Sequence, residues 1–352
     1  MGARAPSAGG PALLAFDFDW SLLEENSDTF VIRELGADAL YEASKGMPWT
    51  QRMDWVLKEA ASQLGRTQAD VLAALHRAPL HPELAGLLRT VAAKRAGRDA
   101  GSSRSGSVDD LDIVILSDAN TVYIDAILEH HGLRQHIQEV HTNPAEWREG
   151  ALRVGPYHAR PHGCHHCPSN LCKGQASAAV LAGLLERQAA CGRAYSRVLY
   201  VGDGRGDYCP SALLLHGSGS GSGSDRNAST SGGGGNGAPA AAAAGAAKPG
   251  SSSAGAAAPV PCGSGSNLVY ARVEYPDGVP CSLWVMLQQA HSVHSSDGSG
   301  ASAGTPHQAS AAAAGQAGAA GEAAAHQGVV AWTTPEQLAA LLSAELQLEL
   351  EQ

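Results

Sequence analysis

The chain has 352 residues and a formal net charge of −10, a balance that argues against nucleic acid or an acidic membrane surface as a partner. Hydrophobic residues make up 44% but aromatics only 5%, and many of the 42 glycines sit in low-complexity runs, so the part able to bury a core is much shorter than the chain. No apolar run approaches the roughly 20 residues that a membrane helix requires.

The first predicted element is a buried strand from Leu13 to Phe18, within a core segment over 12–28. It begins too near Met1 to leave room for a signal peptide, and Pro6 stands where a myristoylation signal needs Ser or Thr. From Thr29 to about residue 96 the pattern is helical and suits a small inserted cap. Gly36 and Gly65 end helices there, Thr67 offers a cap, and Pro82 suits a first turn. A polar Gly/Ser-rich loop follows over 97–108. The segment 109–216 returns to core: "LDIVILSDAN" reads as a buried strand, "TVYIDAILEHHG" as a helix, "IQEVHTN" as a strand, "GQASAAVLAGLLERQAACG" as a helix and "RVLYVGDGRGD" as a strand ending in a Gly/Asp loop. Strands alternating with helices imply a largely parallel sheet covered on both faces. Residues 217–266 and 292–327 are Gly/Ser/Ala-rich and cannot bury enough apolar surface to offset chain ordering, so they are predicted as disordered insertions. Between and after them, 267–291 and 328–352 return to the core, the second with Thr334, Pro335 and Glu336 as a helix start.

The acidic residues collect at strand C-terminal ends, the edge at which open α/β sheets bind ligands. Asp17 and Asp19 stand two apart in "FDFD", and Asp203 and Asp207 lie in the Gly-rich loop of "YVGDGRGD". A pair of acids at a strand end is by itself often only a turn. Carboxylates from two strands meeting at one edge, however, need a hard dication, and Mg²⁺ is the usual one beside phosphate. Ser117, ending "IVILS", offers a hydroxyl near a helix start, and Lys173 in "NLCKG" is a cation able to neutralise both phosphate and carboxylate.

The order D-x-D-x-S, a Ser after a strand, Lys, then G-D-G-x-x-D resembles the haloacid dehalogenase-like phosphohydrolases. "ENSD", "ILSDANT", "CHHCPSNLCKG", "YVGDGRGDYCP" and "VVAW" bring the likeness nearer to the phosphoethanolamine/phosphocholine phosphatase branch, which includes pyridoxal phosphate phosphatases. The resemblance implies a three-layer Rossmann-like core with a parallel sheet and a small helical cap after the first motif. It also implies a Mg²⁺-dependent phosphomonoesterase acting on a small phosphorylated metabolite. Asp17 would then be the nucleophile and Asp19 the general acid and base. Asp17, the Asp19 carbonyl and Asp203 would hold Mg²⁺ with Asp207 in support, and Ser117 and Lys173 would grip the phosphoryl oxygens. Asp28 and Asp118 match acids linked in that branch to recognition of the leaving group. For Asp28 the plainer alternative is a cap for a helix starting at Thr29. Phosphoethanolamine, phosphocholine and pyridoxal phosphate stand first as substrates, with thiamine monophosphate or pyrophosphate as the alternative. Trp20 departs from the family, where an acid is frequent; it reads as a packing residue below the cap, or as a lining of the entrance.

There are seven cysteines. With no secretory signal in the sequence, reduced thiols and a cytoplasmic setting are expected. Cys164, Cys167 and Cys172, among His162, His165 and His166, have the spacing of a zinc site, but a second C-x-x-C pair is absent. The family resemblance instead reads this segment as a loop that positions Lys173. A zinc-stabilised binding module without turnover is therefore the competing function. Cys191 and Cys209 are expected to pack as small apolar groups.

Overall fold

The computed structural model describes residues 11–98, 111–174, 179–216, 267–296 and 328–348. Six strands form one parallel sheet: β1 (Ala12–Phe16), β2 (Leu111–Asn120), β3 (Glu139–Asn143), β6 (Arg197–Gly202), β7 (Leu268–Arg272) and β8 (Val329–Trp332). Their order is β3-β2-β1-β6-β7-β8. β1 lies between β2 and β6, with Phe16 opposite Ile115 on one side and Val201 on the other. Chain order runs outward in both directions from β1, so the sheet has its switch point where the first acidic motif leaves it.

Side-chain alternation on β1 separates two apolar layers. Ala12, Leu14 and Phe16 face a core shared with α5 (Pro82–Arg98), α6 (Thr121–His130) and α10 (Pro335–Leu346). Leu13 and Ala15 face the opposite core with α7 (Val180–Ala190), α8 (Tyr208–His216) and α9 (Ser282–Ser296). Burial of each large aliphatic side chain contributes about 1.5–3 kcal/mol, so this double-sided β1 anchors the edge that carries Asp17. The three-layer α/β core with a parallel sheet is the architecture expected from the sequence.

Four helices form a lobe after the first motif: α1 (Ser27–Glu34), α2 (Asp38–Ala43), α3 (Trp49–Leu64) and α4 (Gln68–Leu75). Thr67 caps α4 through a capping box with Asp70, as its sequence position predicts. The lobe is entered and left through one isolated antiparallel bridge, Leu23 to Leu80, with Glu24 N–H donating to the Pro79 carbonyl at 2.9 Å. α5 packs against α10, so it is read with the core rather than with the cap expected over 29–96. A short antiparallel hairpin was not anticipated. Its strands are β4 (Ala145–Arg148) and β5 (Ala151–Val154); β5 packs on α3, where Arg153 makes a two-pronged contact to Asp54 at 2.8 and 2.7 Å.

The expected loop over 97–108 lies outside the described residues, apart from 97–98, which continue α5. The expected insertions 217–266 and 292–327 lie outside them too, except that α9 runs to Ser296. Among the described residues no helix is long and apolar enough to cross a membrane.

Candidate active site

Asp17 follows β1 directly, and its N–H still donates to the Val201 carbonyl of β6 at 2.9 Å. The loop after β6 brings Asp203 and Asp207 alongside, and one carboxylate oxygen from each of the three acids lies within 4.8 Å of the others, all buried. Lys173 Nζ enters this cluster, 2.7 Å from Asp17 Oδ2 and 2.9 Å from Asp207 Oδ1. Burial alone would depress the lysine, but Asp17 and Asp207 outweigh it and hold the ammonium well above its ordinary range.

Asp207 is fully engaged. Its Oδ1 also accepts the Tyr200 hydroxyl at 2.6 Å, and its Oδ2 accepts the N–H groups of Asp203 and Gly204 at 3.1 and 2.9 Å. Burial would raise this acid, yet Lys173 and the hydrogen-bond donors keep it below the usual carboxylate range. Gly202 makes this fit possible, because a Cβ there would stand 2.6 Å from Asp207 Cγ. Asp17 goes the other way: burial, then Asp207, raise it well above the usual range despite Lys173. Burial and Asp207 also push Asp203 up to about 7, against a hydrogen bond from Tyr275. A buried, all-oxygen donor set carrying more negative than positive charge fits a hard dication such as Mg²⁺.

Asp19 turns away from this cluster. Its Oδ2 accepts from Asn26 Nδ2 at 2.9 Å and its Oδ1 from Ser27 N–H at 3.0 Å. Burial, then the nearby Asp28, push its carboxyl up to about 8, so it holds a proton at neutral pH in the metal-free protein. Ser117 is buried where the β2–β3 register shifts, and its Oγ accepts the Ala119 N–H at 3.2 Å, which leaves its O–H to donate. The helix that follows is capped by Asn120, three residues beyond Ser117.

Asp28 is not a helix cap. Asn26 takes that role, accepting Thr29 N–H at 3.0 Å, and α1 begins at Ser27. The buried Asp28 instead accepts the Trp49 indole N–H at 2.8 Å; burial pushes it up to about 7, with Asp118 adding to the rise. Asp118 is half-buried, and its charge acts on Asp17, Asp19 and Asp28 alike. Asp28, Asp118 and Asp19 thus form a second acidic group beside the first.

Trp20 is neither simply core nor simply entrance. It is half-buried in the left-handed region at φ 56°, its carbonyl accepts from Arg272 Nη1 at 2.7 Å, and its ring meets Tyr275 edge-on at 5.2 Å. With Glu24, Glu25, Arg272 and Glu336 it lines a cleft of about 620 Å³. Tyr275, Tyr200, Asn26 and Trp49 were not singled out from sequence: Asn26 and Tyr200 sit inside quoted motifs but their contacts to Asp19 and Asp207 run across seven residues, and Tyr275 and Trp49 reach their acids from distant segments. Cys191 is exposed rather than packed, and Cys209 joins Cys164, Cys167 and Cys172 in one cluster instead of packing apart from them.

A parallel sheet with this ordered set of acids, Ser and Lys at its switch point defines a phosphohydrolase fold of the haloacid dehalogenase type. The chain matches the family described as "Putative Phosphatase" over residues 12–218 and belongs to that family. It is 35% identical over 204 residues to inorganic pyrophosphatase 2 of Arabidopsis thaliana, covering 56% of this chain and 66% of the relative. Thiamine phosphate phosphatase-like protein of the same plant is 34% identical, covering 57% and 76% respectively. Pyridoxal phosphate phosphatase PHOSPHO2 of Mus musculus is 33% identical, covering 57% and 78%. Among solved structures, one titled a phospho-aspartyl intermediate analogue of phosphoserine phosphatase overlaps 56% of this chain and 81% of its own, at TM-score 0.34 and 18% identity, too distant to locate any site residue.

Proposed function

We propose that this protein hydrolyses the phosphate monoester of a small metabolite through a phospho-aspartyl intermediate on Asp17. The observation that carries the reading is the buried ion pair of Lys173 with Asp17, set beside an Asp19 carboxyl that faces away from it. An Asp17 carboxylate oxygen attacks phosphorus, the bond to the leaving oxygen breaks, and Asp19 gives that oxygen its proton. Water then attacks the phosphorus, Asp19 takes the water proton, and the Asp17–phosphorus bond breaks to release phosphate. Lys173 Nζ and the Ser117 hydroxyl donate to the phosphoryl oxygens, where charge builds in the transition state. The Asp17 and Asp203 carboxylates, with the Asp19 main-chain carbonyl, would hold Mg²⁺, which when bound supplies positive charge against those oxygens. Asp207 supports by fixing Lys173.

The leaving group meets Asp28 and Asp118. Two neighbouring acids there favour a cationic partner, which supports phosphoethanolamine, phosphocholine or pyridoxal phosphate. The pyrophosphatase and thiamine phosphate phosphatase-like relatives favour a second reading, pyrophosphate or thiamine monophosphate.

The test ranks these five compounds and p-nitrophenyl phosphate by kcat/KM in Mg²⁺, alongside Asp17→Asn. Turnover lost in Asp17→Asn and phosphoethanolamine, phosphocholine or pyridoxal phosphate ranked first are expected. Undiminished activity in Asp17→Asn would overturn the nucleophile, and pyrophosphate or thiamine monophosphate ranked first would select the second reading.

A further inference from the structure

The Cys164–Cys172 segment and the start of α8 meet in a cluster that the phosphatase reading does not use. The Sγ atoms of Cys164, Cys167, Cys172 and Cys209 all lie within 4.8 Å of one another; three of these residues are buried and Cys164 is half-buried. Cys209 Sγ is 3.7 Å from Cys164 Sγ and 3.9 Å from Cys172 Sγ. Both separations far exceed the roughly 2.05 Å of a disulfide. They bracket the edge of a zinc tetrathiolate: with Zn–S near 2.3 Å, a regular tetrahedron has edges of about 3.8 Å.

The surroundings suit that ligand set. Cys167 N–H points at Cys164 Sγ at 3.4 Å, the backbone donor that a C-x-x-C turn offers to a thiolate. His162 is occupied as an orienting group, its Nδ1 accepting Cys164 N–H at 3.2 Å and its Nε2 donating to the Pro168 carbonyl at 2.9 Å. Arg205 binds the carbonyls of His165 and His166, both at 3.2 Å, and so ties the turn to the loop after β6. Gly174 lets the backbone pass close by, since a Cβ there would lie 2.5 Å from Cys209 Sγ.

We infer that Cys164, Cys167, Cys172 and Cys209 form a structural Zn²⁺ site separate from the oxygen-lined acid cluster. Four soft sulfurs select zinc over magnesium, and a site closed by four protein ligands has no position left for chemistry. Binding deprotonates the thiols and releases their protons to solvent. Cys172 precedes Lys173, and Cys209 follows Asp207 by two residues. The zinc therefore clamps together the two segments whose side chains meet at 2.9 Å in the acid cluster.

The full chain, purified without added metal or chelator and dialysed into Mg²⁺ buffer, is expected to retain about one zinc per chain by elemental analysis. Cys164→Ser and Cys209→Ser should lose most of it, while Cys191→Ser, on the exposed cysteine, should keep it. Should the serine variants not fold, the unaltered chain still decides. A mercurial that blocks thiols should release about one zinc per chain to a chelating dye, and Co²⁺ loading should give thiolate charge-transfer bands with the visible envelope of a tetrahedral ion. Less than about a tenth of a zinc per chain, or zinc content unchanged in both cluster variants, would overturn the site. These readouts need no turnover, so they stand or fall apart from the proposed phosphatase reaction.

Discussion

Trp49, at the start of α3, donates its indole N–H to Asp28 of α1 at 2.8 Å, so two helices of the lobe share one buried acid, the acid proposed to meet the leaving group. That contact is the one hydrogen bond that lowers the proton affinity of Asp28 against burial and Asp118. Trp49→Phe keeps an aromatic ring and removes the donor. The carboxyl then holds its proton to higher pH and meets a substrate ammonium less well. A hydrogen bond to a charged group contributes about 1.5–3 kcal/mol, so kcat/KM for phosphoethanolamine should fall at least about tenfold in Asp28→Asn and less in Trp49→Phe. p-Nitrophenyl phosphate, which has no ammonium, should change little in either. Equal losses on both substrates, measured by steady-state kinetics, would remove Asp28 from recognition.

Lys173 pairs directly with two of the three buried acids, Asp17 and Asp207. Lys173→Met leaves Asp17 and Asp207 without it, and breaking a buried ion pair from one side costs about 3–5 kcal/mol. Thermal unfolding should show Lys173→Met melting well below the parent. Asp17→Asn should melt near it, because Lys173 keeps Asp207. Both variants should lose turnover, so stability, not activity, separates the structural role from the chemical one.

Protonation gives a stability signature that depends on metal. In the folded metal-free protein Asp19 titrates at about 8, and Asp28 and Asp203 at about 7. Unfolded aspartates titrate near 3.9, so the folded state holds more protons across the interval between and loses stability as pH rises through it. Histidine opposes this at lower pH. His81 is pushed down to about 4 by burial, so below the unfolded value near 6.5 it costs stability as pH falls. The window from about 6.5 to about 8 therefore belongs to the acids. Without added Mg²⁺ and without chelator, the melting temperature should fall across that window, and Mg²⁺ should raise it more at the upper end than at the lower. A melting temperature that rises with pH in that buffer would contradict the burial of these acids.

Much of this was legible in the chain. Buried apolar runs ending in polar or acidic residues located β1, β2 and β6, because a central parallel strand must be apolar on both faces and its polar residues collect at its ends. Those same ends carry Asp17, Ser117 and Asp203. Lys173 could be picked out as a cation beside the acids, but only the resemblance gave it a grip on the phosphoryl oxygens, since a lysine in a loop is ordinarily solvated. The hairpin β4–β5 was not foreseen, its strands being short and half-polar around Glu149-Gly150, and its footing is Asp54, far away in sequence. Of the two readings open for Asp28, the helix cap falls away because Asn26, two residues earlier, supplies an equally good cap oxygen. Cys209 was separated from the other cysteines in sequence, and only the α8 start returning under Gly174 brings it to them.

The last relationship links Trp20 to the acid cluster. Tyr275, beyond β7, donates its hydroxyl to Asp203 Oδ2 at 2.7 Å while its ring packs on Trp20, and Arg272 anchors the Trp20 carbonyl. Tyr275→Phe keeps the ring contact and removes the hydrogen bond that orients Asp203. Loss of such a supporting partner typically costs about 10–100-fold in metal affinity. Tyr275→Phe should therefore raise the Mg²⁺ concentration for half-maximal activity by about tenfold or more, with KM for substrate at saturating Mg²⁺ nearly unchanged. Trp20 tests the other half of the contact. At φ 56° a side chain strains the backbone by about 1–2 kcal/mol, which glycine avoids. Trp20→Gly should accordingly melt above Trp20→Ala although both lose the indole. If Trp20→Ala proved the more stable, the left-handed backbone would not be what strains this position, and a Mg²⁺ response unchanged in Tyr275→Phe would detach Asp203 from its tyrosine support.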